Sequence, residues 1–349
     1  MRKLSDTPER IVENGKFNYG VFKTPFKNLN MQDAELAGAL RLLPRPLRKL
    51  RLKDWQHYAI IHPDFYFGTV IFNAHFTAKA FFYAYDRRNG RLIEYLKMPL
   101  SHRVHVAENL FNGTSSVNEK GFSIEYTNRI GEGHHDIKID IGECGDKPAV
   151  KCDIQVLEDT TATQPLIVSL PLGGNRSMYS HKVVCPAAGT IATGGETVTL
   201  EPGRDIALVD VHKAYYPHHF WWKWANFAGF DSSGKIIGAN LTDNLIKDQA
   251  AWNECAVWYD GKLSLLGPIT FDFDPAETTR PWHIRDSEGR VELDFVPEKE
   301  KIEELNLGLF RTHYRQPLGC FNGYLVDDSG MHHEVREIFG VAEHMDSHL

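Results

Sequence analysis

The chain has 349 residues, 42% of them hydrophobic and 24% charged, with a formal charge of −7. This is the composition of an ordinary soluble globular protein, long enough for two domains. It excludes a global basic field that would recruit nucleic acid, and no apolar run reaches the roughly eighteen residues that a membrane-crossing helix needs.

The N-terminal stretch MRKLSDTPERIVENGK lacks the apolar centre of a signal peptide. Five cysteines, at 144, 152, 185, 255 and 320, are odd in number and include no CxxC pair. Neither a disulfide framework nor a structural zinc site is expected, and the reading is a cytoplasmic protein.

Residues 1–54 read as an N-terminal arm. MQDAELAGALRLL, residues 31–43, has helical spacing and good helix formers, and Pro44 and Pro46 end the helix. The stretch 41–53 then carries six basic residues and no acidic one. It is a solvated arm or a peripheral contact with an anionic membrane surface.

From Trp55 onward the pattern is β. WQHYAIIH, FYFGTVIFNAHF, AKAFFYAYD and RLIEYLKM follow one another across short gaps. Hairpin turn chemistry recurs at DRRNG, DSSG, YDG, DSEG and DDSG, between runs rich in Val, Ile, Phe, Tyr and Trp. KEKIEELNLGLF, residues 299–310, is a helical candidate or a strand entered by a charged loop. So many meandering hairpins must close or stack to hide their edges, which predicts an all-β fold of two barrels or curved antiparallel sheets. The Gly-, Thr- and Pro-rich stretch 186–204 suggests a boundary, giving domains at 55–200 and 201–349.

The turn DSSG sets a register for the hairpin around WWKWANF. Asp231 opens a type I turn, Gly234 takes the left-handed position, and Asp231 pairs with Lys235. Trp222, Trp224, Asn226, Asn240, Thr242 and Asn244 then share one face. Trp221, Ala225, Phe227, Ile237, Ala239 and Leu241 share the other, which is a core face. Large rings mixed with amides suit the wall of a ligand cavity, or an interface between the two domains. A one-residue slip would scramble the sorting.

Other positions carry acid–base potential. Asp210 and His212 lie on one side of the strand IALVDVH, away from its valines, where a carboxylate can orient an imidazole for proton transfer. Sequential antiparallel strands usually pair, so this strand is expected beside the one bearing Trp222 and Trp224. Glu254 shares a face with Trp252, Ala256 and Trp258, and a carboxylate among aromatics can serve as an acid. His218 and His219 sit where the chain enters the hairpin. Neighbouring histidines on a strand point to opposite faces, and no HxH or HExxH spacing occurs, so no metal site is expected. No dinucleotide or Walker glycine spacing and no GxSxG appears, so no cofactor and no covalent hydrolysis are expected.

In order, SHK (180–182), VD (209–210), WWKWANFAG (221–229), IGANLTD (237–243) and WNECAVWYDGKLSLL (252–266) resemble the bacterial domain of unknown function 2804 family. That resemblance implies lipocalin-like tandem barrels, distantly similar to carotenoid 1,2-hydratases, tocopherol cyclase and some fungal cyclases. It implies a small hydrophobic or amphipathic ligand, acid–base hydration, isomerisation or cyclisation without a cofactor, and Lys182, Asp210, Trp224, Asn226 and Asn240 as positions of interest. The acidic WDWF-like motif of the hydratases stands here as WKWA, with Lys223 in place of the acid, which argues against carotenoid hydration itself. The alternative is a carrier using the same cavity. The expected catalytic groups are Asp210, His212 and Glu254, and the expected ligand contacts are Lys182, His218, Trp222, Trp224, Asn226 and Asn240.

Overall fold

The computed structural model describes residues 2–42, 44–307 and 310–348. Among them the fold is all-β, and the longest helical segment is the five-residue 3-10 turn Gly38–Leu42. The chain divides into two compact units. One holds Ser5–Ser169 and Gly173–Tyr215, and the other holds Met1–Leu4, Leu170–Leu172 and Tyr216–Leu349. The division after Tyr215 falls beyond the stretch 186–204 read from composition. The physical reason is pairing: strand Ile206–Ala214 is hydrogen-bonded on both sides to strands of the first unit.

The main sheet of the first unit runs, strand beside strand, from Arg91–Lys97 through Ala78–Asp86, Phe65–Asn73, Lys53–Ile61, Ile206–Ala214, Ser177–Thr193, Val150–Val156, His134–Ile141, Phe122–Arg129 and Gly113–Glu119 to Val104–His105. It curls back on itself. The amide of Asn73 donates to the backbone oxygens of Ser101 at 3.0 Å and Val104 at 2.8 Å, tying the far end of the path to its third strand. The inside of the curl holds one core, to which Tyr58, Ile60, Phe67, Phe82, Tyr126, Ile139, Val183, Val209 and Val211 belong. These residues alternate with outward ones along each strand, as the period of two requires.

The N-terminal segment is no long helix. Met31–Asp33 and Gly38–Leu42 are 3-10 turns and Arg45–Arg48 is a single α-helical turn, while Leu43 lies outside the described residues. The backbone N–H of Glu35 donates to Gly15 at 2.8 Å and that of Ala37 to Gly174 at 3.0 Å, so tertiary partners take the donors a helix would use. Phe22, Phe26, Met31 and Leu36 pack with Ile167, Tyr179 and Tyr215 in a second small core.

The second unit is a fully antiparallel sheet. Its order is Lys262–Leu265, Ala256–Tyr259, Ile236–Asn244, His219–Phe230, His332–His348, Phe310–Val326, Val291–Leu307, Trp282–Asp286 and Ile269–Asp272. Phe227, Leu241, Trp282, Phe295 and Phe321 are fully buried in its core. Each such side chain stabilises by about 1.5–3 kcal/mol. The described part of 299–310 is strand, with Ile302 opposite Arg315; Gly308 and Leu309 lie outside the described residues.

Candidate functional site

In the second unit the DSSG turn forms as its chemistry demands. The N–H of Asp231 donates to Lys235 at 2.9 Å, that of Gly234 donates to Asp231 at 3.0 Å, and Gly234 has φ +79°. The register follows: Trp222 opposite Asn244, Trp224 opposite Thr242, Asn226 opposite Asn240, and Phe227 opposite Ala239.

The polar–aromatic face is a hydrogen-bonded network. Trp224 Nε1 donates to Asn240 Oδ1 at 2.7 Å, and Asn226 Nδ2 reaches the same oxygen at 3.3 Å. Asn240 Nδ2 donates to the backbone oxygen of Glu254 at 2.6 Å, and Thr242 Oγ1 donates to Glu254 Oε1 at 3.4 Å. Glu343, directly opposite Trp224, accepts from Trp222 Nε1 at 2.8 Å, Tyr314 Oη at 2.6 Å and Gln316 Nε2 at 2.8 Å. Both indole N–H groups are thus committed to protein acceptors, which fixes the rings. Glu343 and its partners escape sequence reasoning because the three donors come from two other strands.

His218 does not join this network. It is exposed, and its ring meets that of His348 edge-on at 5.8 Å. His219 stacks on His348 at 4.2 Å, and Asp346 takes His219 Nε2 at 2.9 Å. His219, Asp346 and His348 bring one ligand atom each within 4.8 Å of one another. The expectation of no metal-ligand grouping considered histidines adjacent in sequence, whereas His219 and His348 are cross-strand partners.

The strand carrying Asp210 does not neighbour the strand carrying Trp222. Ile206–Ala214 lies between Ser177–Thr193 and Lys53–Ile61, while His219–Phe230 lies between Ile236–Asn244 and His332–His348. The rule that sequential strands pair fails where the chain passes from one sheet to the next. Asp210 instead sits in a row with Lys182 on one side and His57 on the other, and His212 sits between Ser180 and Trp55. These rows occupy the face opposite the core of the first unit, yet Lys182, Asp210, His57 and Ser180 are all buried.

Lys182 Nζ donates to Asp210 Oδ1 at 2.6 Å, and His212 Nε2 lies 2.7 Å from the same oxygen. Burial alone would push the Asp210 carboxyl up, but the Lys182 ammonium, His212 and His57 outweigh it and hold the group far below the usual carboxylate range. That direction favours the ionised carboxylate and speaks against Asp210 as the proton donor expected from the sequence. Burial pushes His57 down to about 4, against the attraction of Asp210, so it is neutral at pH 7. With Nε2 turned to a carboxylate, His212 presents Nδ1, which is buried and has no hydrogen-bond partner among the described residues. The hydroxyl of Ser180, its cross-strand neighbour, is likewise buried without a partner.

A model of known families matches residues 2–349. The chain belongs to the family described as domain of unknown function 2804. No curated protein sequence matches it. A Nitrosomonas europaea protein assigned as AttH is similar in structure at 14% identity and a TM-score of 0.50, over 84% of this chain and 92% of that one. CghA is similar at 10% identity and a TM-score of 0.51, over 85% and 88%. The kievitone hydratase of Nectria haematococca is 12% identical with a TM-score of 0.47, over 85% and 88%. The first two likenesses speak for a shared fold. Among the described residues no helix is long and apolar enough to cross a membrane.

Proposed function

We propose that this chain is an enzyme of the hydratase, isomerase or cyclase kind, acting by acid–base chemistry on a mostly apolar small molecule, with His212 as the group that moves the proton. The observation that carries this reading is the pairing of His212 Nε2 with Asp210 at 2.7 Å while Nδ1 stays buried with no hydrogen-bond partner among the described residues. An ionised carboxylate on one ring nitrogen favours the tautomer with a lone pair on the other, and stabilises the imidazolium once that nitrogen takes a proton. Lys182 keeps Asp210 charged without competing for the imidazole's free nitrogen. Proton transfer of this kind needs water and the substrate alone, so no cofactor enters the proposal. In the second unit, taken by itself, Glu254, whose carboxylate meets Thr242, supports the polar–aromatic network of Trp224, Asn226 and Asn240.

The test is exchange in heavy water. Wild-type protein and His212→Gln are incubated in D2O with a panel of apolar alkenes, enones and enols, and the products are read by mass spectrometry. Wild type is expected to place carbon-bound deuterium, or to add water, on at least one member. His212→Gln is expected to lose that activity by about 100-fold or more. No exchange by wild type with any member leaves the chain a carrier, and equal exchange in the variant removes His212 from the chemistry.

A further inference from the structure

Lys53 is a buried cation that makes no ion pair among the described residues. It is 5% exposed, and its Nζ has no hydrogen-bond partner among the described residues. It lies over the ring of Phe76, with Nζ 4.4 Å from the centroid. The adjacent carboxylate is already spent: Asp54 binds Lys213 Nζ at 3.0 Å and His75 Nε2 at 2.8 Å, on the other side of the strand. Burial, aided by Arg51 and opposed by Asp54, pushes the Lys53 ammonium down to about 8. A buried cation costs free energy unless something pairs with it, so a lone one in a folded protein asks for a ligand.

Its position says which ligand. Lys53, Trp55 and His57 alternate along one strand and lie opposite Ala214, His212 and Asp210. Lys53 therefore shares a sheet face with His212, one row away on the diagonal, a separation of about 7–8 Å between backbone positions. The row of Lys53 is otherwise Ala214 and Met178, which carry no charge. On the three strands Lys53–Ile61, Ile206–Ala214 and Ser177–Thr193 of this face, Asp210 is matched by Lys182 and His57 is neutral, so Lys53 adds a positive charge beside His212. An ammonium is a poor neighbour for a developing carbocation and a good one for a developing oxyanion.

We infer that Lys53 receives the carbonyl or carboxylate oxygen of the substrate, and that the substrate is a conjugated carbonyl compound whose double bond reacts through an enolate. The inference rests on the acid–base reading of His212. In the hydration direction, His212 Nδ1 takes a proton from water as the water oxygen bonds to the β-carbon. The π pair moves to the α-carbon and on to the carbonyl oxygen, whose negative charge Lys53 meets. The α-carbon then takes the proton back from the His212 imidazolium. One water is consumed, one C–O and one C–H bond form, the C=C π bond is lost, and nothing is oxidised or reduced.

The experiment separates this inference from the reading beneath it. A panel of aryl and alkyl enoates, each matched with its neutral allylic alcohol, is titrated into wild type, Lys53→Met and His212→Gln by calorimetry, with circular dichroism confirming each fold. Wild type is expected to bind at least one enoate tenfold or more tightly than its alcohol. Lys53→Met is expected to bind the two alike, and His212→Gln to keep the preference. As a check independent of ligand choice, reductive 13C-methylation and NMR titration should show a Lys53 resonance that titrates near 8 and moves when the enoate is added. No preference in wild type, or an undiminished one in Lys53→Met, overturns the inference. An enoate preference in a protein that never exchanges deuterium sinks the acid–base reading and leaves Lys53 an anion site.

Discussion

Asp210 and His212, two residues apart on one strand, meet through a contact of 2.7 Å between His212 Nε2 and Asp210 Oδ1. Alternate residues on a strand share a face, so the pair is held by backbone geometry. The acid is held as a carboxylate by Lys182, which donates to the same oxygen at 2.6 Å.

Asp210→Asn keeps the shape and removes the charge. The amide turned to His212 no longer stabilises an imidazolium, and Lys182 loses its ionised partner. Exchange activity in D2O is expected to fall by about 100-fold or more while enoate binding at Lys53 persists. Thermal melting of the variant checks that the loss is chemical. Unchanged exchange would show that Asp210 is only a structural partner of Lys182.

His57 makes stability depend on pH in mild acid. Its folded-state value lies near 4, below the usual histidine value, because the buried ring resists a proton. The unfolded state therefore binds the proton first as pH falls. The contribution of His57 is fully present above about 6.5 and declines as pH falls from there toward 4. Urea unfolding at a series of pH values should show a shallower slope across that window in His57→Gln than in wild type. Parallel slopes would mean that His57 charges freely in the folded protein.

Much of this architecture is written locally. Asp231 and Gly234 determine a turn, the turn determines a register, and the register sorts tryptophans and amides from Phe227 and Leu241. What is not local is harder to read. His57 reaches Asp210 across strands distant in sequence, and nothing in WQHYAII announces that partner. The helix pattern at 31–43 is overridden because Glu35 and Ala37 donate to Gly15 and Gly174. Glu343 stays hidden because its meaning lies in Trp222, Tyr314 and Gln316, which converge on it only in the folded sheet.

Glu343→Gln tests that convergence. Three donors aim at the carboxylate, and an amide offers one accepting oxygen and two donors of its own. At least one of the three bonds is lost, and a buried donor left without an acceptor costs about 1–3 kcal/mol. A lowered melting temperature with altered tryptophan fluorescence is expected, since Trp222 Nε1 is among the donors. Wild-type stability would show that Glu343 is replaceable by any polar group of its size.

Gly340 tests how closely two strands must approach. It pairs with Phe227 in the centre of the second unit's sheet. A Cβ built on it would lie 2.3 Å from the backbone oxygen of Asn226 and 2.5 Å from Phe227 Cβ. Backbone cannot swing aside as a long side chain can, so Gly340→Ala must push the strands apart or break the pairing locally. Phe227 also stacks on Phe321 with ring centroids 4.4 Å apart, so displacement there disturbs the core as well as the ladder. The cost is expected at about 1–3 kcal/mol, the range for overpacking a well-filled site. Because Asn226 bonds Asn240, which holds Trp224, the same shift should loosen the indole and quench or red-shift its emission. Denaturant unfolding and tryptophan fluorescence measured on one sample separate the two effects. Destabilisation with unchanged emission would confine the damage to the core side. Unchanged stability would mean that the strands have slack, and that the polar–aromatic network is less rigidly held than its hydrogen bonds imply.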